Sequence, residues 1–245
     1  MNAEKPIADP AKREENSVKK MFSRIAPFYD AINRAMTFGL DVLWRKRLVH
    51  TLALPDWKTC VADLACGSGD VAAEIAKQKP DAQIVCVDFC PPMLEAAKAK
   101  LSKKGFANRA EFVEADCANL PFGGEVFDGA TIAFGFRNFR NRGDCLREIA
   151  RILKPSAKLC VLEVCRANGI FWKIQKLFMG VFVPNVAVLF GGKRNDYVYL
   201  AETTLAYPPR ADVEKMFRDA GFENVQTRPM AFGFVSITSG EKIEG

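Results

Sequence analysis

Six residues in the first half of the chain have types and spacing suited to holding a charged ligand: Asp63, Gly67, Gly69, Asp70, Asp88 and Asp116. The stretch from Val61 reads Val-Ala-Asp-Leu-Ala-Cys-Gly-Ser-Gly-Asp. An apolar run ends in Asp63, a tight loop with Gly67, Ser68 and Gly69 follows, and an amphipathic helix begins at Asp70. Strand, glycine turn and helix form the unit that brings a nucleotide-like ligand against bare backbone. The two glycines supply positive φ and remove side-chain bulk where a ligand comes close. Acids on both sides of the loop disfavour a pyrophosphate at the helix start and favour a cation.

The loop alone is weak evidence. Gly67-x-Gly69-x-x-Ala72 also satisfies the dinucleotide fingerprint, with Asp88 near the expected ribose-binding acid. Two further apolar runs, Ile84–Asp88 and Glu111–Asp116, also end in acids. Three strands therefore carry acids toward the sheet edge where open α/β folds bind ligands. Asp88 suits two ribose hydroxyls as a double acceptor, and Asp116 suits the amino group of adenine. The alternative is that Asp88 and Asp116 cap helices, as Pro91 and Pro92 after Asp88 would permit.

The elements that must position these residues follow from periodicity. Between Cys60 and Val164 short apolar runs alternate with helical patterns, which predicts a parallel sheet covered on both faces. Strands are expected at 60–64, 83–87, 110–114, 127–133 and 158–164, then at 222–228 and 230–238 as an antiparallel closing hairpin. Residues 1–17 read as a flexible polar end, 18–51 as a helical lid, and 168–208 as an insertion in a single domain running from 18 to 245.

Composition narrows the function classes. Hydrophobic residues make up 49% of 245, enough for a full core, and no apolar run is long enough to span a bilayer. The polar start is not a secretory signal, so a cytoplasmic location is expected. Eight cysteines with no C-x-x-C pair, and His50 as the single histidine, argue for reduced core thiols and against a metal site. The net charge of +6 is scattered through helices, with no basic and aromatic sheet motif for nucleic acid. It is compatible with peripheral contact at the inner face of an anionic membrane.

From about Val18 onward the chain resembles the ubiquinone/menaquinone biosynthesis C-methyltransferases, a branch of the class I methyltransferases. The resemblance rests on Met21–Asn33, Leu43-Trp-Arg45, the glycine loop, Asp88–Leu94, Asn119–Phe122, Phe127-Asp128, Ala133–Asn138, Tyr199–Glu202 and Met216–Phe222. The segment Phe134-Gly-x-Arg-Asn138 is the most specific of these. Four positions depart from the family pattern: Ala133 replaces a common Ser, Asp41 a His, Ser156-Ala157 a Gly-Gly, and Thr238–Glu241 a His-Arg-Gly-Tyr-like ending.

The resemblance implies a Rossmann-like α/β sheet, mostly parallel, with N-terminal helices and a helical insertion. It implies S-adenosyl-L-methionine as cofactor, whose sulfonium and ammonium match the acids around the loop. The cofactor-binding residues it implies are Asp63, Gly67, Ser68, Gly69, Asp88, Phe89, Met93, Asp116, Cys117 and Ala133. The implied reaction methylates a carbon of a reduced prenylated quinone, a naphthoquinol or a benzoquinol. Arg137 is then the expected stabiliser of phenolate-like charge, with a structural fork to a carboxylate or to carbonyls as the alternative. Asn138 is expected to orient Arg137 or substrate, and Tyr29 and Asp30 belong to the lid and are candidate proton acceptors. The greasy segment Ile170–Phe190 is either a wall for the isoprenoid chain, a membrane-dipping element, a packing surface or a contact in a homo-oligomer. A methyltransferase for another phenolic or lipid acceptor, and a dinucleotide oxidoreductase, remain as alternatives.

Overall fold

The computed structural model describes residues 15–167, 169–183, 185, 188 and 194–244. Most of the segment expected to be a flexible end, residues 1–14, lies outside them. Three helices open the described chain: α1 (Glu15–Ile25), α2 (Tyr29–Met36) and α3 (Leu40–Leu52). The single lid helix region expected from periodicity is thus broken twice. A 3-10 turn at Ala26–Phe28 contains Pro27, and Gly39 turns the chain at φ +78°.

The sheet then builds by alternation: β1 (Cys60–Leu64), α4 (Asp70–Gln78), β2 (Gln83–Asp88), α5 (Pro91–Lys103), β3 (Ala110–Glu114), β4 (Phe127–Ala133), α6 (Arg142–Ile152) and β5 (Leu153–Val164). The insertion contributes α7 (Ile170–Leu177), a π turn (Phe178–Phe182) and α8 (Arg194–Leu205). Then α9 (Arg210–Asp219), β6 (Phe222–Met230) and β7 (Val235–Lys242) complete the chain. The strand order is β3-β2-β1-β4-β5-β7-β6, with β7 antiparallel to both neighbours and the other pairings parallel. The order reverses between β1 and β4, which opens a crevice at their carboxyl ends.

Two strand boundaries differ from expectation. The last strand starts at Val235, not Met230, because Ala231, Phe232 and Gly233 all take positive φ and turn the chain. The alternation Met230, Phe232, Phe234 imitates a strand there, while pairing of Met230 with Val235 closes the hairpin. Strand β5 starts five residues early, at Leu153, and absorbs the extra length in a bulge opposite Phe127–Gly129.

Buried residues form one cluster on each face of the sheet. Leu48, Leu52, Val61, Ile75 and Leu101 pack α3, α4 and α5 on one face; Phe136, Leu146, Ile149, Phe217 and Phe222 pack α6 and α9 on the other. A third, smaller cluster joins Met21, Phe22, Ile25 and Ile32 of the first two helices to Met93, Tyr199 and Leu200. That cluster seats the N-terminal helices over the crevice as a cap. All eight cysteines are free.

Candidate active site

Beneath the cap, at the strand ends, lies a cavity of about 380 Å³. Its floor comes from the sheet loops: Ala65 and Gly67 after β1, Asp88 and Phe89 after β2, Asp116–Ala118 after β3, and Ala133–Gly135 after β4. Val18, Phe22 and Tyr29 of the cap and Asn138–Asn141 close the rest. The volume lies in the range of small-molecule sites. A recess of about 20 Å³ continues past Tyr29, Ala65, Gly67 and Ala133, and adds Arg45, Asp63, Ser68 and Asp70 to the lining.

Asp88 is 5% exposed and braces the glycine loop. Its Oδ2 accepts the Gly67 N–H at 2.8 Å and its Oδ1 accepts the Cys90 N–H at 3.0 Å. The carboxylate fixes the turn into α5, whose N-cap is Cys90 and not Asp88, and it lines the cavity. Burial raises its pKa to about 6 against those N–H bonds. Asp63 is 1% exposed and ties β1 to its surroundings, accepting from Thr131 Oγ1 at 2.9 Å and Ala72 N at 3.0 Å. Burial pushes its pKa to about 7, so near neutrality it is only partly charged.

The two glycines differ in purpose. Gly67 takes φ +54°, and a Cβ there would approach only Tyr29 Cε1, at 3.8 Å. Gly69 takes φ +79°, and a Cβ there would meet Ala97 Cβ and Leu101 Cδ1 at 2.9 Å. Its bareness lets α4 pack on α5 and is not an approach route for a ligand, contrary to the sequence reading. The charge reading also needs correction at Asp70. This carboxylate is bound by Lys100 and lies 3.3 Å from Arg45, so it presents no free negative charge.

Asp116 lies two residues beyond β3, exposed at the cavity rim, with Oδ1 accepting the Ala118 N–H at 2.9 Å. Phe89, the buried Met93 and the buried Cys117 line the same wall; burial drives the Cys117 thiol well above its ordinary pKa. Ser68 does not line the main cavity. Its hydroxyl donates to Asp30 and accepts from Lys100 Nζ at 3.1 Å.

Of the four residues expected to be catalytic, Tyr29 and Asn138 line the cavity, and Arg137 and Asp30 do not. Arg137 is 6% exposed behind the wall. Its Nη1 donates to Phe134 O at 2.6 Å and to Glu163 Oε1 at 2.7 Å, while Glu163 Oε2 accepts the Arg137 N–H at 3.0 Å. One guanidinium nitrogen thus serves both a carboxylate and a backbone carbonyl, the structural role weighed as the alternative, although without a two-nitrogen fork. The Nε of Arg137 is buried without a partner. Asp30 sits on a Lys100 ion pair at 2.6 Å, where it latches α2 to the loop. Burial raises the phenol pKa of Tyr29 more than Arg137 and Arg45 lower it, so Tyr29 is a neutral donor and not a base. Asn138 Oδ1 accepts from Tyr199 Oη at 3.4 Å.

Sequence reasoning gave no role to Glu163, Arg45, Lys100 or Tyr199. Arg45 and Tyr199 lay in the family-like segments; Glu163 and Lys100 carried no local signal, since their partners are 26 and 30 residues away.

The family model described as the ubiE/COQ5 methyltransferase family matches residues 10–242. The chain belongs to the ubiE/COQ5 methyltransferase family. The demethylmenaquinone methyltransferase of Thermus thermophilus is 39% identical over 91% of this chain and 100% of its own. That of Deinococcus radiodurans is 36% identical over 97% of each. The ubiquinone/menaquinone biosynthesis C-methyltransferase UbiE of Geotalea daltonii is 33% identical over 92% of this chain and 96% of its own. Among solved structures, a SAM-dependent methyltransferase from Aquifex aeolicus superposes at TM-score 0.61, with 15% identity, over 95% of this chain and all of that one. Haemonchus contortus phosphoethanolamine N-methyltransferase 2, in complex with S-adenosyl-L-methionine, reaches TM-score 0.63 with 13% identity over 82% of this chain and 52% of that one. The fold is the sheet that these two methyltransferases share, the chain is a methyltransferase of the ubiE/COQ5 family, and the group that such a fold implies is S-adenosyl-L-methionine. The residues present fit that group: a buried strand-end carboxylate, a bare Gly67 at the floor and an apolar wall of Phe89 and Met93.

Proposed function

We propose that the protein methylates a ring carbon of a reduced, prenylated quinone, demethylmenaquinol or the equivalent benzoquinol, in respiratory quinone biosynthesis. The cofactor supplies an electrophilic methyl group when bound. Asp88 holds the ribose hydroxyls, Asp116 the adenine amino group, and Phe89, Met93 and Cys117 the faces of the base. Asp63, Gly67, Ser68, Gly69 and Ala133 shape the turn and neck beneath it.

The observation that carries the reading is the apolar wall of the main cavity. Val18, Phe22, Phe134 and Phe139 line it, and Tyr29, Asn138, Arg140 and Asn141 stand beside them. Such a space suits a flat aromatic ring whose oxygens need two or three donors. Held in line with the methyl group, the ring loses much of its entropic barrier. Asn138 donates to the ring oxygen as negative charge develops. Arg137 acts from behind, as a charge that favours the phenolate and as a clamp on the Phe134–Asn138 turn. Tyr29 closes the cap side, Asp30 latches it, and the ring proton leaves to water.

The isoprenoid tail leaves toward the insertion. Phe38 is 75% exposed and stacks on Phe182, and Phe171 stacks on Phe232, which is 78% exposed. No helix among the described residues is long and apolar enough to cross a membrane. This aromatic surface supports peripheral contact with the bilayer that holds the substrate.

The test supplies purified protein with cofactor and demethylated naphthoquinone or benzoquinone, with and without dithionite, and reads methyl incorporation by mass spectrometry. Methylation is expected only with the reductant, because the oxidised ring lacks the ionisable hydroxyl that activates the carbon. Equal turnover of the oxidised ring contradicts the reading, and the arm that turns over assigns the ring.

A further inference from the structure

The insertion meets the cavity wall through a polar contact. Tyr199, on α8, is 2% exposed and belongs to the apolar cluster of Met21, Phe22, Ile25 and Met93. Its hydroxyl donates to Asn138 Oδ1 at 3.4 Å, across 61 residues of sequence, in the turn after β4. The helix that carries it is fastened on either side of Tyr199. Asp196 accepts from Arg24 of α1 at 2.6 and 3.4 Å, and Thr203 Oγ1 donates to the Tyr199 carbonyl at 3.1 Å. A tyrosine ring held by packing leaves its hydroxyl at a fixed point.

What that contact controls is the direction of the Asn138 amide. The main chain around it is already pinned. The Asn138 N–H donates to Gly135 O at 3.0 Å, and Arg142 donates to the Phe136 and Arg137 carbonyls at 3.2 and 2.7 Å. The amide itself has two ends, a carbonyl oxygen that accepts and an NH2 that donates. They act oppositely on a ring oxygen that is gaining negative charge. With Oδ1 engaged by Tyr199, Nδ2 is the end left for the cavity that Asn138 lines. A phenol is also able to accept, and the neighbouring guanidinium decides the sense. Arg137 and Tyr199 interact electrostatically. The cation draws the hydroxyl oxygen toward itself and leaves the hydrogen for Asn138.

We propose that Tyr199 is a positioning residue for methyl transfer, holding the Asn138 amide with its NH2 toward the oxygen of the acceptor ring. The inference rests on the proposed quinol reaction and on Asn138 as the donor to that oxygen. Tyr199 does not line the cavity and acts only through the amide. A donor oriented before the charge develops needs no rearrangement as the reaction proceeds, so it favours the transition state over the ground state. The insertion thereby sets the polarity of a wall whose backbone belongs to the sheet.

The experiment follows single-turnover methylation of the demethylated quinone that the unsubstituted protein accepts, reduced with dithionite, from about pH 6 to 9. It compares the full chain, Tyr199→Phe, Asn138→Ala and the double variant, with S-adenosylhomocysteine calorimetry on each. Tyr199→Phe keeps the ring in its cluster and removes only the hydroxyl. It is expected to lower the rate about 5- to 10-fold near neutral pH, the scale of one hydrogen bond. The quinol concentration for half-maximal rate and the S-adenosylhomocysteine affinity should stay within about twofold. The rate should recover as pH rises, because a bound quinol without the oriented donor ionises at higher pH. A misplaced ring would instead lower the rate by the same factor at every pH. In the Asn138→Ala background, loss of the hydroxyl should change the rate by less than about twofold. A normal rate in Tyr199→Phe, an equal fall at every pH, loss of S-adenosylhomocysteine affinity, or the full fall repeated in the Asn138→Ala background overturns the inference and leaves the proposed reaction standing. A normal rate in Asn138→Ala overturns the role of Asn138 and the inference with it. Absence of methylation by the unsubstituted protein overturns the proposed function itself.

Discussion

The sheet edge and the N-terminal cap both bury carboxylates, and they treat them in opposite ways. At the sheet edge Asp63 and Asp88 are held mainly by neutral hydroxyl and backbone donors, and burial raises their pKa values to about 7 and about 6. In the cap burial would also raise Asp41, but the Arg45 charge and bonds from Arg34, Arg45 and Thr37 outweigh it and hold the carboxyl below its usual range. The sheet thus keeps acids that gain or lose a proton near neutrality. The cap keeps ions that must be paired. One site therefore has a rigid, hydrogen-bonded half and an electrostatically fastened half.

The largest effect separating the halves is expected behind the sheet edge. Glu163→Ala leaves Arg137 buried without its carboxylate, and should lower global stability by about 3–5 kcal/mol in denaturant titration. Arg137→Met paired with Glu163→Gln removes both charges and should fold. It should lower kcat about 10²-fold in single-turnover methylation, with cofactor affinity little changed. Normal methylation by that double variant assigns Arg137 to structure alone.

In the cap, Asp41→Ala should cost less, about 1–2 kcal/mol, because Arg34 is partly exposed and Arg45 keeps Asp70. The loss of amide protection should be confined to α1–α3. Hydrogen exchange that rises equally across the sheet would erase the distinction between the halves.

The two halves should respond to pH with opposite signs. Asp63 and Asp88 have raised pKa values in the folded chain, so their ionisation costs stability as pH climbs from about 4 to 7. Above that window the cost is constant. Asp41 has a lowered pKa, so its contribution is present above the ordinary aspartate value and is lost as pH falls below it. Asp63→Asn should flatten the slope between about pH 4 and 7 without touching the acid limb. An unchanged slope would mean that Asp63 titrates normally. Cofactor affinity should also weaken below about pH 6, as Asp88 takes up a proton.

A smaller effect lies outside both halves. Ser156 occupies the left-handed region at φ +61°, a conformation that glycine adopts without strain. Ser156→Gly should stabilise the sheet by about 0.5–1 kcal/mol and leave ligand binding alone. A loss of stability there would show that the serine hydroxyl, which meets Glu244 at 3.1 Å, outweighs the backbone strain.

What the sequence determined by itself is what local pattern can encode. Alternating apolar runs and helices, acids at strand ends and the glycine turn specified the parallel sheet and its binding edge. The same residues, Asp88, Gly67, Asp116 and Asn138, line the cavity because strand ends and the loops after them are adjacent in any such sheet. Family-like segments carried the chemistry further than spacing alone. Only the tertiary structure decided which charges are free. Asp70 looked like a ligand for a cation until Lys100 and Arg45 closed on it. Gly69 looked like an approach route until Ala97 packed against it. Arg137 looked like a residue in the cavity until Glu163, from the neighbouring strand, drew it behind the wall. Pairing and burial depend on partners tens of residues distant, and local sequence pattern does not record which distant side chain arrives first.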